Sequence, residues 1–263
     1  MTYVTCKILG PSDTNFGLGN QLFNVATAIS LAKDNNCVAT FPCLNDIKKY
    51  GDYKYNIFQK LNTFEVPNIE WNFFVEETFG YKKIQFKNNL MLKGYFQSEK
   101  YFRHNRELIL ETLYNDEIIY HLKHKYKSLL ELDNPVSVHI RRGDYLKFST
   151  VHTNLAETEY YNKCFNLCGL DSNFVFFSDD IEWCKKEFSF LKNSHFIEKD
   201  KDYNELILMS LFRINIIANS TFSWWAAWLN DNQDKIILCP QQWFDKDGPK
   251  KCDDLYCEGW LKI

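Results

Sequence analysis

Val138-His139-Ile140-Arg141-Arg142-Gly143-Asp144-Tyr145 runs an apolar strand straight into two guanidiniums and a carboxylate. The preceding Pro135-Val136-Ser137 extends the apolar and polar alternation that a strand shows, and Gly143 lets the chain turn where a ligand can approach closely. Arg141 and Arg142 are therefore expected at the carboxyl edge of a sheet. Ligands bind at that edge in open α/β sheets, and the planar fork of arginine suits a phosphate better than the point charge of lysine. A diphosphate is the natural partner. The same letters also describe an exposed Arg-Asp pair closing a surface turn, an arrangement of little energetic value.

Outward from this stretch the second half alternates strand and helix: strand 136–140, helix 157–168, strand 174–177, helix 180–188, strand 195–197, helix 202–212, strand 214–218, helix 224–229 and strand 235–239. Such alternation predicts a parallel sheet. Polar residues gather at three strand ends: His139 to Asp144, Ser178-Asp179-Asp180, and Asn219 to Ser223. Ser220, Thr221 and Ser223 precede a helix, where hydroxyls and free N–H groups either cap the helix or hold a phosphate. Asp179 and Asp180 either cap the helix that follows or accept hydrogen bonds from a ribose or a guanine edge. His139 alternates with Val138 and Ile140 as a core histidine would; its arginine neighbours are what make it a site candidate.

The first half opens in the same rhythm. A strand from Tyr3 to Leu9 leads to the turn Gly10-Pro11-Ser12-Asp13. A second turn, Gly17-Leu18-Gly19-Asn20, opens a helix that buries Leu22, Phe23, Ala26, Ile29, Leu31 and Ala32, and a short strand follows from Cys37 to Pro42. Gly17 and Gly19 sit where free N–H groups and the helix dipole favour an anion; a tight strand-to-helix turn would use the same glycines. Residues 45–86 lack strong periodicity and read as loops and short elements. A strand from Leu90 ends in glycine and aromatics, a helix passes through Leu108, Ile109 and Leu113, and another runs from Ile118 to Leu130. The Asn134-Pro135 step then marks a boundary between lobes 1–134 and 135–263.

With 263 residues, 45% of them hydrophobic and 25% charged, the chain buries a substantial core. A net charge of -3 leaves no basic field for nucleic acid or anionic lipid, so the paired arginines are a local device. Seven Trp, 15 Tyr and 22 Phe fit either sugar-stacking clefts or core filling. The nine cysteines are odd in number and scattered, the start lacks a basic, apolar leader, and no apolar run approaches the ~20 residues of a membrane span, so a reduced cytoplasmic setting is expected. Cys164 with Cys168, and Cys252 with Cys257, lack the short spacing of a zinc site. No Walker lysine, GxSxG elbow or HExxH pair is found. Asp179 and Asp180 are adjacent and open a helix, unlike a DxD metal motif, so no metal is expected.

Taken together, Gly17-Leu18-Gly19-Asn20-Gln21-Leu22-Phe23, the Gly94 to Phe102 stretch, His139 to Tyr145, Phe177 to Asp180, Asn219 to Trp225 and Pro240 to Phe244 resemble, in order, the alpha-1,2-fucosyltransferases of glycosyltransferase family eleven. The resemblance implies an α/β, GT-B-like enzyme of two Rossmann-like lobes. It would transfer fucose from GDP-fucose, with inversion and without a metal, to a galactose-terminated glycan, the second lobe holding the nucleotide. By resemblance Arg141 grips the diphosphate, His139 is the motif histidine, Asn20 reaches the donor, Asp179 or Asp180 contacts the nucleotide, and Ser220, Thr221 and Phe222 form the phosphate-binding set. Arg142 and Asp144 support the loop, and Arg141, Asn20 and Asp144 are the expected catalytic group. The chain departs from related alpha-1,6 enzymes where they place a glutamate base, having Lys147, Phe148, Ser149 and Thr150 there; Asp144, His152, another carboxylate or water then takes the acceptor proton. No amino-terminal anchor of the kind the animal Golgi enzymes carry is expected.

Overall fold

A computed structural model describes residues 1–7 and 17–263, which fall into two compact units: Met1–Asp116 with Lys251–Cys257, and Glu117–Lys250 with Glu258–Ile263. Leu9 and the Gly10 to Asp13 turn lie outside the described residues.

The first unit comprises β1 (Tyr3–Cys6), α1 (Leu18–Asp34), β2 (Val38–Ala39), α2 (Ile47–Tyr50), β3 (Asn72–Val75), β4 (Leu90–Lys93) and α3 (Arg106–Leu113). Its strands pair in parallel in the order β2-β1-β4-β3. Val4, Thr5 and Cys6 are all buried, as expected of a strand covered on both faces. Helix α1 is buried along most of its length, and Asn36 beyond its end adopts φ 52°, the left-handed conformation that commonly stops a helix. Strand β3 lies in the stretch read as loops and short elements. It is an edge strand with Phe73 and Val75 exposed, so the sequence carries no buried face to betray it.

The second unit comprises α4 (Asp116–Lys125), α5 (Lys127–Leu130), β5 (Pro135–Ile140), α6 (Tyr160–Cys168), β6 (Asn173–Ser178), α7 (Ile181–Glu187), β7 (Ser194–Phe196), α8 (Asp202–Ser210), β8 (Ile214–Ile216), α9 (Thr221–Leu229), β9 (Ile236–Cys239) and β10 (Leu261–Lys262). All six strands are parallel, in the order β10-β9-β8-β5-β6-β7. Aromatic residues fill this core. Phe165 meets Phe174, Phe176 and Phe188 with ring centroids 4.8, 6.1 and 5.4 Å apart, and Trp224, Trp225 and Trp228 of α9 are buried. At about 2–3 kcal/mol per fully buried large apolar side chain, core filling accounts for much of the aromatic content.

The division does not fall at Asn134-Pro135. Pro135 is the first residue of β5, where a proline is tolerated because the ladder has barely begun. Helix α4 goes with the second unit: Leu122 is buried, and Lys125 Nζ lies 2.7 Å from Asp200 Oδ2. The expected single helix 118–130 is interrupted at Tyr126. Conversely, Asp254 belongs to the first unit, where it accepts from the Tyr81 backbone N–H at 2.8 Å and pairs with Lys100. No helix among the described residues is long and apolar enough to cross a membrane.

Candidate active site

Strand order reverses where the chain runs from β5 to β6 and β7 on one side and returns to β8 and β9 on the other. The carboxyl ends of β5 and β8 therefore flank the crevice at which doubly wound sheets bind ligands. Arg141 leaves β5 at that point, and β8 leads to Ser220, the N-cap of α9. Because Ile140 pairs with Ser178, the next residue on each strand, Arg141 and Asp179, emerge side by side.

The adjacent arginines have different fates. Arg141 Nη2 bonds Asp144 Oδ1 at 2.6 Å and its Nη1 lies 2.9 Å from Asp179 Oδ2, with the side chain 33% exposed. These contacts use two of the guanidinium's five N–H groups. Arg142 is only 14% exposed: its guanidinium lies 3.8 Å from the centre of the Trp183 ring and its Nε bonds Asp180 Oδ2 at 3.1 Å. It is packed as a strut, and Arg141 is the arginine left facing solvent. The two aspartates separate in the same way. Asp180 caps α7, accepting from the Trp183 N–H at 3.3 Å, whereas Asp179 accepts from the Arg142 backbone N–H at 3.0 Å and holds Arg141. A Cβ on Gly143 would lie 2.5 Å from Asp179 Oδ2, so a larger residue there would displace the carboxylate that holds Arg141.

Ser220 Oγ accepts from the Phe222 N–H at 3.3 Å and is buried, so its capping role is realised; Thr221, the first residue of α9, is half-buried. The Phe222 ring centre lies 5.5 Å from that of His139. Burial, with the Arg141 charge second, lowers the His139 pKa from 6.5 to about 3, so the ring is neutral, and its Nδ1 is buried without a partner among the described residues. The surrounding loops are stitched together. Asn219 Nδ2 donates to Thr153 O and Trp243 O, both at 2.9 Å, and the Tyr145 hydroxyl donates to Asn219 O at 2.9 Å. The His152 ring stacks on Tyr145 at 4.0 Å, its pKa lowered by burial.

The motif stretches include Tyr145 and Asn219 without giving either a role of its own, and they do not point to Trp183 or to the Gly143–Asp179 contact. The aromatic directly after Asp144 and the asparagine directly before Ser220 were the available signals.

The remaining expected residues sit in the first unit. Gly17 caps α1 in an extended conformation, and among the described residues no atom lies within 4 Å of where its Cβ would be; Gly19 is buried in the first turn. Asn20, in that turn, accepts from Gln97 Nε2 at 2.8 Å through Oδ1.

Two parallel, doubly wound units define the GT-B-like class of fold, and the chain superposes on fucosyltransferase NodZ from Bradyrhizobium with a TM-score of 0.52 at 13% identity, covering 86% of this chain and 91% of that one. The sequence matches the Glycosyl transferase family 11 profile over residues 12–263, and the chain belongs to that family. It is 30% identical to an alpha-1,2-colitosyltransferase of Escherichia coli over 100% of this chain and 99% of the relative. It is 28% identical to a galactoside 2-alpha-L-fucosyltransferase of Caenorhabditis elegans, over 94% and 77% respectively. The chain is a glycosyltransferase of this fucosyltransferase family.

Proposed function

We propose that the protein transfers L-fucose from GDP-fucose, with inversion, to the 2-hydroxyl of a terminal β-galactoside. The observation that carries this reading is Arg141 at the carboxyl end of β5, beside the N-terminus of α9, at the reversal of strand order. As the bond from C1 to the leaving phosphate breaks, negative charge builds on GDP. Among the described residues, Arg141 N–H groups not used on Asp144 and Asp179 are available to it, and a preorganised donor group of this kind supplies about 3 kcal/mol of transition-state stabilisation. Asp144 and Asp179 hold the fork in place. Asp144, 2.6 Å from Arg141 Nη2, acts by positioning. The diphosphate charge is met by arginine and helix N–H groups, without a metal ion. Asn20 contributes a side-chain amide to the sugar nucleotide.

Fucose and the alpha-1,2 linkage are supported by the family and by the Caenorhabditis elegans relative. A second donor reading, GDP-colitose, is favoured by the Escherichia coli relative; colitose is fucose without its 3-hydroxyl. Incubation with GDP-fucose, GDP-colitose and UDP-sugars plus lactose or N-acetyllactosamine, with product linkage assigned by NMR, separates these readings. Turnover of GDP-fucose to an alpha-1,2 product is expected. Preference for GDP-colitose replaces the donor sugar, preference for a UDP-sugar rejects the donor class, and an alpha-1,3 or alpha-1,6 product rejects the linkage.

A further inference from the structure

The first sheet has its own reversal of strand order, between β1 and β4. The chain leaves β4 at Gly94 and makes a costly turn. A Cβ at Gly94 would lie 2.5 Å from the Glu76 Cβ, and Phe96, fully buried, adopts φ 52°. A non-glycine residue held in that left-handed region is strained, and surrounding structure must over-determine it. Glu76 does so: its carboxylate accepts the Tyr95 N–H at 2.6 Å and the Phe96 N–H at 3.1 and 3.2 Å. The outcome of this turn is the position of Gln97, nine-tenths buried, whose Nε2 donates to Asn20 Oδ1 at 2.8 Å.

A carboxamide has one accepting and one donating end. With Oδ1 occupied by Gln97, the half-buried Asn20 offers its substrate the Nδ2 end, which carries two N–H groups. Asn20 O is used separately, accepting from Asn24 Nδ2 at 3.2 Å. We propose that Gln97 is a positioning residue for sugar-nucleotide binding, fixing the Asn20 carboxamide so that it presents N–H donors, the end that suits a phosphate or a sugar hydroxyl oxygen. Gln97 touches no substrate itself. This inference rests on the reading of Asn20 as a contact to the sugar nucleotide.

A double-mutant cycle tests it with the donor that the wild type turns over, so a wrong donor sugar changes the substrate used and leaves the coupling test intact. Gln97→Met is expected to lower kcat/KM for the donor about tenfold, the worth of one hydrogen bond to a charged group, mainly through donor KM and with acceptor KM unchanged. In an Asn20→Ala background the same change should alter kcat/KM by less than about twofold, because coupled residues are non-additive. Gln97→Glu keeps the shape but can only accept, so it turns Asn20 Oδ1 outward and is expected to be worse than Gln97→Met; it also carries the cycle if Gln97→Met does not fold. Wild-type kinetics in either Gln97 variant, or equal effects with and without Asn20, overturns the proposal. Wild-type kinetics in Asn20→Ala removes the role of Asn20 and the proposal with it, leaving the Arg141 site standing.

Discussion

The carboxyl ends of β5 and β4 solve one problem, holding a polar group ready at a reversal of strand order, with opposite materials. After β5 the device is charge: two guanidiniums face Asp144, Asp179 and Asp180, and the ion pairs orient Arg141 while matching its charge. After β4 it is backbone strain and amides: Phe96 is held in a left-handed conformation by Glu76, so that Gln97 meets Asn20. The difference teaches what each end is suited to do. A guanidinium with spare N–H groups answers a charge that grows during bond breaking, whereas an amide dipole selects orientation and contributes equally before and during the reaction.

The comparison predicts unequal losses, the largest at Arg141. Arg141→Ala should reduce kcat by about 10²–10³-fold with the melting temperature nearly unchanged, as steady-state kinetics and calorimetry on the folded variant would record. Asn20→Ala should cost only about tenfold, mostly in donor KM, in keeping with a neutral donor. A larger kcat loss at Asn20 than at Arg141 would invert the assignment of the two strand ends.

A stability effect follows from His139 in the charged region alone. Its folded pKa of about 3 lies below the ordinary 6.5, so the unfolded chain binds a proton between those values and the folded chain does not. Stability contributed by the neutral ring is fully present above pH 6.5 and is lost as pH falls toward 3. Between pH 7 and pH 5 the loss is about 2 kcal/mol. Urea unfolding at the two pH values should show that difference shrink by about this amount in His139→Gln.

Neighbouring arginines sharpen the contrast within one loop. Arg142→Ala should destabilise by about 1–2 kcal/mol through the lost Trp183 stacking and Asp180 contact, lowering the melting temperature more than Arg141→Ala does and activity less. The smallest expected effect is none: thorough chelation should leave transfer intact, and restoration of lost activity by manganese or magnesium would refute charge neutralisation by arginine and helix N–H groups.

Much of the charged end was legible in sequence because an apolar strand ending in arginines marks its own position, and the register of β5 with β6 then brings Asp179 beside Arg141. The separate duties of Arg141 and Arg142 were not, since they depend on which guanidinium Trp183 covers. Asp179 and Asp180 were equally open for the same reason. At the amide end Gln97 lies in the Gly94 to Phe102 stretch, but nothing there assigns it a role: its partner lies 77 residues away, and the turn that aims it depends on a buried phenylalanine in a conformation that its residue type does not advertise. Strand β3 escaped because an exposed edge imposes no alternation, and the Asn134-Pro135 boundary failed because a proline that opens a strand reads like one that ends a domain.

The path of the chain between the units bears on how the enzyme can be recombined. After the second sheet is nearly complete, residues 251–257 return to the first unit, where Asp254 is bound, before Leu261 and Lys262 add the last strand beside β9. A chimera that exchanged second units between relatives at a single junction would therefore carry a foreign clasp into the first unit. Grafting requires three junctions, near 116, 250 and 258, with the seven-residue clasp kept from the parent that supplies the first unit.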